Sequence, residues 1–111
     1  MAREKMYFSW EIPSSVVYMV NAICTDYDRR ERAIKYSSIT GQVLERYIEL
    51  NAAIDKSLEE IEVGIRRDIL QDIAEGHGYN KSKAQTLVSK NTYYRRRRKL
   101  IYDIAKKLSL L

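Results

Sequence analysis

The sequence contains few of the residues that interrupt or cross-link a chain. Among its 111 residues are four glycines, one proline and one cysteine. Folds built from many short strands need glycine and proline at their turns, so this scarcity argues against a β-sandwich and favours long helices. The single cysteine, Cys24, lies in an apolar run and has no partner for a disulfide within the chain. We therefore expect an all-α fold in a reducing compartment.

Several kinds of reactive site lack the residues they need. The only histidine, His77, lies between two glycines, and with one cysteine it cannot complete a zinc site of four nitrogen and sulfur ligands. No grouping of Ser, His and Asp or of Cys and His indicates a nucleophilic enzyme, and there is no glycine-rich phosphate loop. We expect a protein that is not an enzyme and that uses neither a metal nor another cofactor.

Apolar runs long enough for a membrane are also missing. No stretch of about 18 apolar residues occurs. The first eleven residues carry acidic side chains and lack the apolar stretch of a signal peptide. We expect a cytoplasmic protein that does not enter a membrane.

Positive charge is concentrated at the C-terminal end. The net charge of the chain is +5. Residues 1–75 contain ten Lys and Arg against fourteen Asp and Glu, whereas residues 76–111 contain ten against one, Asp103. This asymmetry predicts that the C-terminal third binds a polyanion and that the acidic part serves folding and protein contacts.

The first 62 residues have the pattern of two long helices. Pro13 and the serines after it predict a helix start, with apolar positions continuing to Tyr36, and residues 37–41 supply a break. The second helix has apolar positions every three or four residues, as in a coiled coil. This seam consists of Leu44, Tyr47, Asn51, Ile54, Leu58 and Ile61. Residues 1–62 are thus a helical, self-association region, and a packed hairpin within one chain and a homodimer both remain open.

Residues 63–111 have the pattern of a helix-turn-helix module. One helix begins near Val63 and ends at Gly76, where glycine can close it in the left-handed region. Residues 80–88 then predict a short helix, and residues 92–108 predict a long one after a turn of about three residues. The expected fold is a helical bundle or hairpin of long helices followed by this C-terminal helix-turn-helix.

The long last helix predicts an inward and an outward face. Ile101, Ile104, Ala105 and Leu108 define its buried stripe. Stepping back at about 100° per residue places Tyr94 and Arg97 on the buried side, and Arg97 is expected to pair with Asp72 or Glu75. The residues expected to point outward are Thr92, Arg95, Arg96 and Lys99. Asp103 is expected to mark where contact with DNA stops.

An outward basic face at the start of a recognition helix predicts binding in the major groove of DNA. Arg95, Arg96 and Lys99 are the candidates for base or groove contacts, Asn91 or Thr92 is the candidate helix cap, and the Tyr93 hydroxyl is a candidate phosphate ligand. Phosphate contacts are also expected from the preceding segment. The full candidate set for DNA is Lys81, Lys83, Ser89, Lys90, Asn91, Thr92, Tyr93, Arg95, Arg96, Arg98 and Lys99.

Other interpretations of the basic run stay open on the sequence alone. Arginines 95–98 with Lys99 could form a solvated face, or a patch for RNA or acidic lipid. Tyr93 and Tyr94 beside these arginines could also stack on unpaired bases, although the outward face lacks a further aromatic platform.

Three segments resemble phage late-transcription regulators of the ArpU, RinA and LtrC-type group. They are ILQDIA (residues 69–74), SKNTYYRRR (residues 89–97) and LIYDIA (residues 100–105). The resemblance covers residues 63–111 and implies a module similar to region 4 of bacterial sigma factors. It further implies a bacterial host cell and a role in activating packaging and structural genes late in infection.

The residues and the resemblance together predict a sequence-specific double-stranded DNA-binding transcription regulator, an activator of phage late genes. Its expected partners are duplex DNA, host RNA polymerase or a protein modulator, and a second copy of the chain. The alternative is a helical adaptor or antagonist, without enzymatic activity, whose basic tail binds an acidic protein surface. Salt-dependent binding to duplex DNA separates the two.

Overall fold

The computed structural model describes residues 11–36 and 38–111, and over these residues the chain is helical and contains no β-strand. The all-α prediction is confirmed. The α-helices are α1 (Ser14–Thr25), α2 (Tyr27–Tyr36), α3 (Gly41–Leu58), α4 (Val63–Glu75) and α5 (Lys90–Lys107). The expectation about a signal peptide falls on residues 1–10, which lie outside the described residues.

The first predicted helix is divided at Asp26. Pro13 immediately precedes α1, as predicted, and α1 ends at Thr25 before α2 begins at Tyr27. The Asp26 side chain binds the Arg29 guanidinium, with 3.0 Å between Oδ1 and Nε. Aspartate has a low intrinsic helix propensity, which favours a break at this position.

A buried polar network joins α2 to α3. Arg30 is only 3% exposed, and its Nε donates to Asn51 Oδ1 at 2.6 Å. The Asn51 amide in turn donates to the Tyr27 carbonyl at 3.2 Å and to Glu31 at 3.0 Å. Each polar group therefore has a partner inside the chain, and these specific pairs fix the register between the two helices.

The predicted seam packs mainly inside the chain. Its members Asn51, Ile54, Leu58 and Ile61 are buried by the chain's own helices, whereas Leu44 and Tyr47 are half-buried. Because α3 ends at Leu58, Ile61 lies in the following turn rather than in the helix. Packing within one chain is thus enough to account for the periodicity over the C-terminal half of α3.

One hydrophobic core connects the helices. α4 packs on α1, and α5 packs on both α1 and α3. The side chains at its centre are fully buried: Val20, Ile54, Ile69, Leu100 and Ile104. The acidic and the basic parts of the sequence share this core, so the orientation of α5 depends on α1 and α3 as well as on α4.

The end of α4 confirms the predicted stop at Gly76. Gly76 has φ of +73°, in the left-handed region. The Gly76 amide donates to the Ile73 carbonyl at 3.3 Å and the His77 amide donates to the Asp72 carbonyl at 2.8 Å. These two bonds form a Schellman motif, for which glycine is the preferred residue.

The connection between α4 and α5 differs from the prediction. Instead of a short α-helix over residues 80–88, the chain forms two 3₁₀ turns, Tyr79–Lys81 and Lys83–Thr86. Ser82 separates them in an extended conformation, and its buried hydroxyl accepts the Ala84 amide at 3.0 Å. This local side-chain bond competes with helical hydrogen bonding, so the single short helix was a wrong prediction.

No helix among residues 11–36 and 38–111 combines the length and the apolar character needed to cross a bilayer.

Candidate nucleic-acid interface

The last helix starts earlier than predicted, because a different residue caps it. Ser89 Oγ accepts the Thr92 amide at 3.3 Å and lies 3.1 Å from Thr92 Oγ1. Helix α5 therefore begins at Lys90, and neither Asn91 nor Thr92 is the cap. This earlier start places Lys90 and the exposed Asn91 in the first turn of α5, where the backbone amides have no hydrogen-bond partner within the helix.

The inward face of α5 is centred on Tyr93. This side chain is 0% exposed, and its hydroxyl donates to Asp72 Oδ2 at 2.7 Å. Tyr93 therefore cannot reach a phosphate, and its assignment as a DNA ligand was wrong. The prediction failed because Leu100, fully buried beside Ile104, was left out of the apolar stripe and shifts its centre towards Tyr93.

The hydroxyl of Tyr93 belongs to a chain of hydrogen bonds that ties α5 to α4. Arg97 Nη1 donates to Tyr93 Oη at 2.9 Å and also to the His77 carbonyl. Arg97 thus faces inward, as predicted, but it reaches Asp72 only through Tyr93 and not by a direct ion pair. Burial, with the Asp72 hydrogen bond as a second cause, raises the pKa of Tyr93 to about 12. The hydroxyl consequently stays protonated at neutral pH and acts as a donor.

Tyr94 supports the connecting loop and is not part of the core. It is 42% exposed, contrary to the prediction, and its hydroxyl accepts the Tyr79 amide at 3.1 Å. A Cβ atom at Gly78 would lie only 2.9 Å from Tyr94 Oη, so a larger residue there would have to displace the Tyr94 hydroxyl. With Tyr93 buried and Tyr94 engaged by the loop, the two rings do not form an open platform for unpaired bases.

One side of α5 carries cations that are already neutralised. Arg96 donates from Nε and Nη2 to the two carboxylate oxygens of Glu62, at 2.9 and 3.0 Å. Lys99 Nζ lies 2.7 Å from Asp103 Oδ2. The hydrogen bond from Arg96 lowers the pKa of Glu62 to about 2. We call Arg96 and Lys99 the paired flank; both were predicted to point freely outward, and both are instead half-buried and held by acids.

The face of α5 that points away from Tyr93, next to the paired flank, carries polar and basic side chains. We call it the outer stripe, and it consists of Asn91, Arg95, Arg98, Tyr102 and Lys106. Arg95, Arg98 and Lys106 are exposed, and none of them forms an ion pair or side-chain hydrogen bond with the described residues. Exposed cations without internal partners are the groups best able to exchange counterions for phosphates.

The remaining candidates lie before α5. Lys81 and Lys83 are exposed on the 3₁₀ turns, where they line a shallow depression together with Asp68 and Glu75 of α4. Lys90 and the capping Ser89 are exposed at the start of α5. The exposed cations before and along α5 thus place a large positive charge at this end of the molecule.

Sequence reasoning missed the C-terminal half of the outer stripe. Asp103 was expected to end the contact surface, but its carboxylate turns to Lys99 on the paired flank. The spacing of Arg95, Arg98, Tyr102 and Lys106, by three, four and four residues, was a signal that could have revealed the stripe.

Comparisons of the chain with protein-family models, with curated proteins and with solved structures give no match.

Proposed function

We propose that the chain is a sequence-specific, double-stranded DNA-binding transcription regulator that presents the outer stripe of α5 to the DNA. The observation that carries this proposal is the division of α5 into a paired flank and an outer stripe of free cations. A solvated helix face usually mixes charges of both signs, whereas this stripe contains no acid. Its composition fits a polyanion whose phosphates are spaced along a groove.

In this proposal, α4, the two 3₁₀ turns and α5 act as a helix-turn-helix unit. Support comes from the hydrogen bonds that run from Asp72 of α4 through Tyr93 to Arg97 of α5 and on to the His77 carbonyl. These bonds hold the two helices and the start of the connecting loop in one arrangement. A rigid recognition helix is what base readout requires, because a mobile one loses entropy when it binds.

The free and the paired cations then have different roles. Arg95 and Arg98 are the base-reading candidates, since an arginine can donate two hydrogen bonds to a guanine in the major groove. Lys81, Lys83 and Lys90 bind phosphates and set the position of the protein on the duplex. Arg96 and Lys99 hold α5 to Glu62 and Asp103 and contribute little to sequence discrimination.

The role as an activator of phage late genes rests on the resemblance of residues 63–111 to the ArpU, RinA and LtrC-type regulators. An activator needs a surface for RNA polymerase or a modulator, and the exposed acids Glu45, Glu49, Glu59 and Glu60 are candidates for it. A pull-down on promoter DNA with and without charge reversal of these acids tests this contact. Failure to retain polymerase in either case would contradict it.

Self-association remains a proposal for the start of α3. The rest of the seam is buried within the chain. A dimer formed through α3 could therefore pack only on the half-buried Leu44 and Tyr47 of the predicted seam and on the neighbouring, exposed Val43. Sedimentation of the protein alone and with Tyr47→Glu tests this proposal. A sedimentation coefficient that stays monomeric at all concentrations would rule this dimer out.

The proposed function is tested with two double variants that remove the same charge from α5. Arg95→Ala with Arg98→Ala removes the free cations, and Arg96→Ala with Lys99→Ala removes the paired ones. The probes are a duplex selected by the protein from a random-sequence pool and a scrambled duplex. The first pair should reduce the preference for the selected duplex by about tenfold to a hundredfold per lost base contact, and the second should leave the preference nearly unchanged.

Two results would contradict the proposal. If both double variants lose preference equally, the outer stripe is not the reading surface. If the wild-type protein enriches no duplex from the pool but binds polyglutamate with similar salt dependence, the basic surface serves an acidic protein partner, as in the adaptor alternative.

A further inference from the structure

The outer stripe runs along nearly the whole length of α5. At about 100° per residue, Asn91, Arg95, Arg98, Tyr102 and Lys106 fall within an arc of about 80°, opposite the buried Tyr93. At about 1.5 Å per residue, the stripe is roughly 22 Å long. Free cations occur near both of its ends.

No acid interrupts this stripe. The only acid in α5 is Asp103, which lies about 100° away from the centre of the stripe and accepts a hydrogen bond from Lys99 at 2.7 Å. The negative charge therefore belongs to the paired flank. A polyanion lying on the outer stripe would meet Arg95, Arg98 and Lys106 in succession without passing a carboxylate.

We infer that α5 lies lengthwise in the major groove, with Lys106 bound to a phosphate at the far end from Arg95. This inference rests on the proposed function. An α-helix with its side chains is about 10–12 Å in diameter, and the major groove is about 12 Å wide, so a helix can lie along it. Tyr102, between the two ends, is half-buried and packs against the hydrophobic core.

The competing arrangement is insertion of the N-terminal turns of α5 alone. Lys106 would then stand on the order of 12 Å from the nearest base-reading candidate, Arg98, since the two residues are eight positions apart. That distance exceeds the screening length of about 8–10 Å at moderate salt. Removing the Lys106 charge would have almost no effect on duplex affinity in that arrangement. In lengthwise docking, Lys106 binds a phosphate and its removal weakens binding.

The neighbouring Lys107 provides a matched control. Both lysines are exposed in the last turn of α5, but Lys107 points about 100° away from Lys106, towards the inward side of the helix. Lys106→Ala and Lys107→Ala therefore remove the same charge at the same end of the same helix. They differ in whether the charge belongs to the outer stripe.

The first experiment measures duplex affinity against salt for the wild-type protein and the two variants, using a duplex selected from a random-sequence pool. Lys106→Ala should reduce the slope of log K against log salt by about 0.9, the value for one phosphate contact, and Lys107→Ala should change it much less. Equal slopes for the wild type and Lys106→Ala would overturn the lengthwise arrangement while leaving the proposed function intact. Absence of duplex binding by the wild type would overturn both.

The second experiment places a DNA-cleaving iron chelate on the cysteine of Lys106→Cys. The native Cys24 is 1% exposed, and burial raises its pKa to about 12, so it should stay unlabelled. Lengthwise docking predicts cleavage within the stretch of duplex that the bound protein protects from nuclease digestion (the protected site), on both sides of one groove. Cleavage absent, or confined to sequence outside the protected site, would overturn it.

Discussion

Replacement of Tyr93 by phenylalanine should destabilise the protein strongly although it removes only one oxygen atom. The hydroxyl is fully buried and lies between the Asp72 carboxylate, at 2.7 Å, and the Arg97 guanidinium, at 2.9 Å. Phenylalanine keeps the ring in the core, so its edge contacts with the rings of Tyr79 and Tyr94 should not change. The cost comes from Asp72, which is only 4% exposed and loses its donor.

The expected loss of unfolding free energy can be estimated from the type of hydrogen bond that is removed. A hydrogen bond to a charged group contributes about 1.5–3 kcal/mol to stability. Arg97 lies near enough to move towards Asp72 and recover part of this, so we expect a loss of about 2 kcal/mol. In a domain of this size, that loss lowers Tm by about 10 °C.

The measurement is urea unfolding of the wild type, Tyr93→Phe and the control Tyr18→Phe. Tyr18 is 76% exposed and forms no hydrogen bond through its hydroxyl within the described residues, so its replacement should change stability by less than about 0.5 kcal/mol. If Tyr93→Phe and Tyr18→Phe have the same unfolding midpoint, the buried network does not hold α5 to α4, and the reasoning fails.

The same hydrogen-bond network predicts how the stability of the protein changes at alkaline pH. The pKa of Tyr93 is raised from its ordinary value of 10.0 to about 12 in the folded protein, mainly by burial. A raised folded pKa means that this contribution to stability is full below about pH 10 and is lost as the pH rises towards about 12. Tyr93→Phe should lack this part of the alkaline destabilisation. An identical decline in both proteins would contradict the assignment.

Three further predictions concern other parts of the chain. Glu62→Gln should raise duplex affinity about two- to fivefold in dilute buffer by releasing Arg96. The loss of stability should stay below about 1 kcal/mol, because the Glu62 side of this ion pair is exposed to solvent. The pKa of Glu62 is lowered to about 2, so the contribution of the pair to stability is complete above the ordinary value of 4.5 and disappears as the pH falls through about 2. Ser109→Gly should stabilise the protein by about 0.5–1 kcal/mol in thermal unfolding, because Ser109 has a φ of +61°. Asn51→Ala should cost about 2–4 kcal/mol in urea unfolding, because it leaves Nε of the buried Arg30 without an acceptor, although Nη2 keeps the Ile23 carbonyl.

The parts of the fold that could be predicted were those with a local cause. Gly76 ends α4 because the left-handed conformation favours glycine, and the run of residues from Val63 to Glu75 was recognisable by its apolar spacing. The concentration of positive charge after residue 75 is a property of the sequence itself. These features needed no knowledge of the neighbouring helices.

The parts that failed depended on side chains that compete with the backbone or on the partner helix. Ser82 accepts the Ala84 amide and divides one predicted helix, and the sequence alone does not show whether such a bond will form. Asp26, which pairs with the Arg29 side chain, lies where the other predicted helix divides. The inward face of α5 was misplaced enough to exchange Tyr93 and Tyr94, which lie about 100° apart, because Leu100 was not counted among the buried residues. Pairing of Arg96 with Glu62, 34 residues away, required the tertiary structure.

The central claim is tested most directly by the salt dependence of binding between the wild-type protein and a short duplex of the selected sequence. With about four to six phosphates neutralised, affinity should fall by roughly several hundredfold between about 50 and 200 mM salt, with a slope near −4 to −5. A selected duplex bound no better than a scrambled one, or an affinity that does not change with salt, would contradict the account.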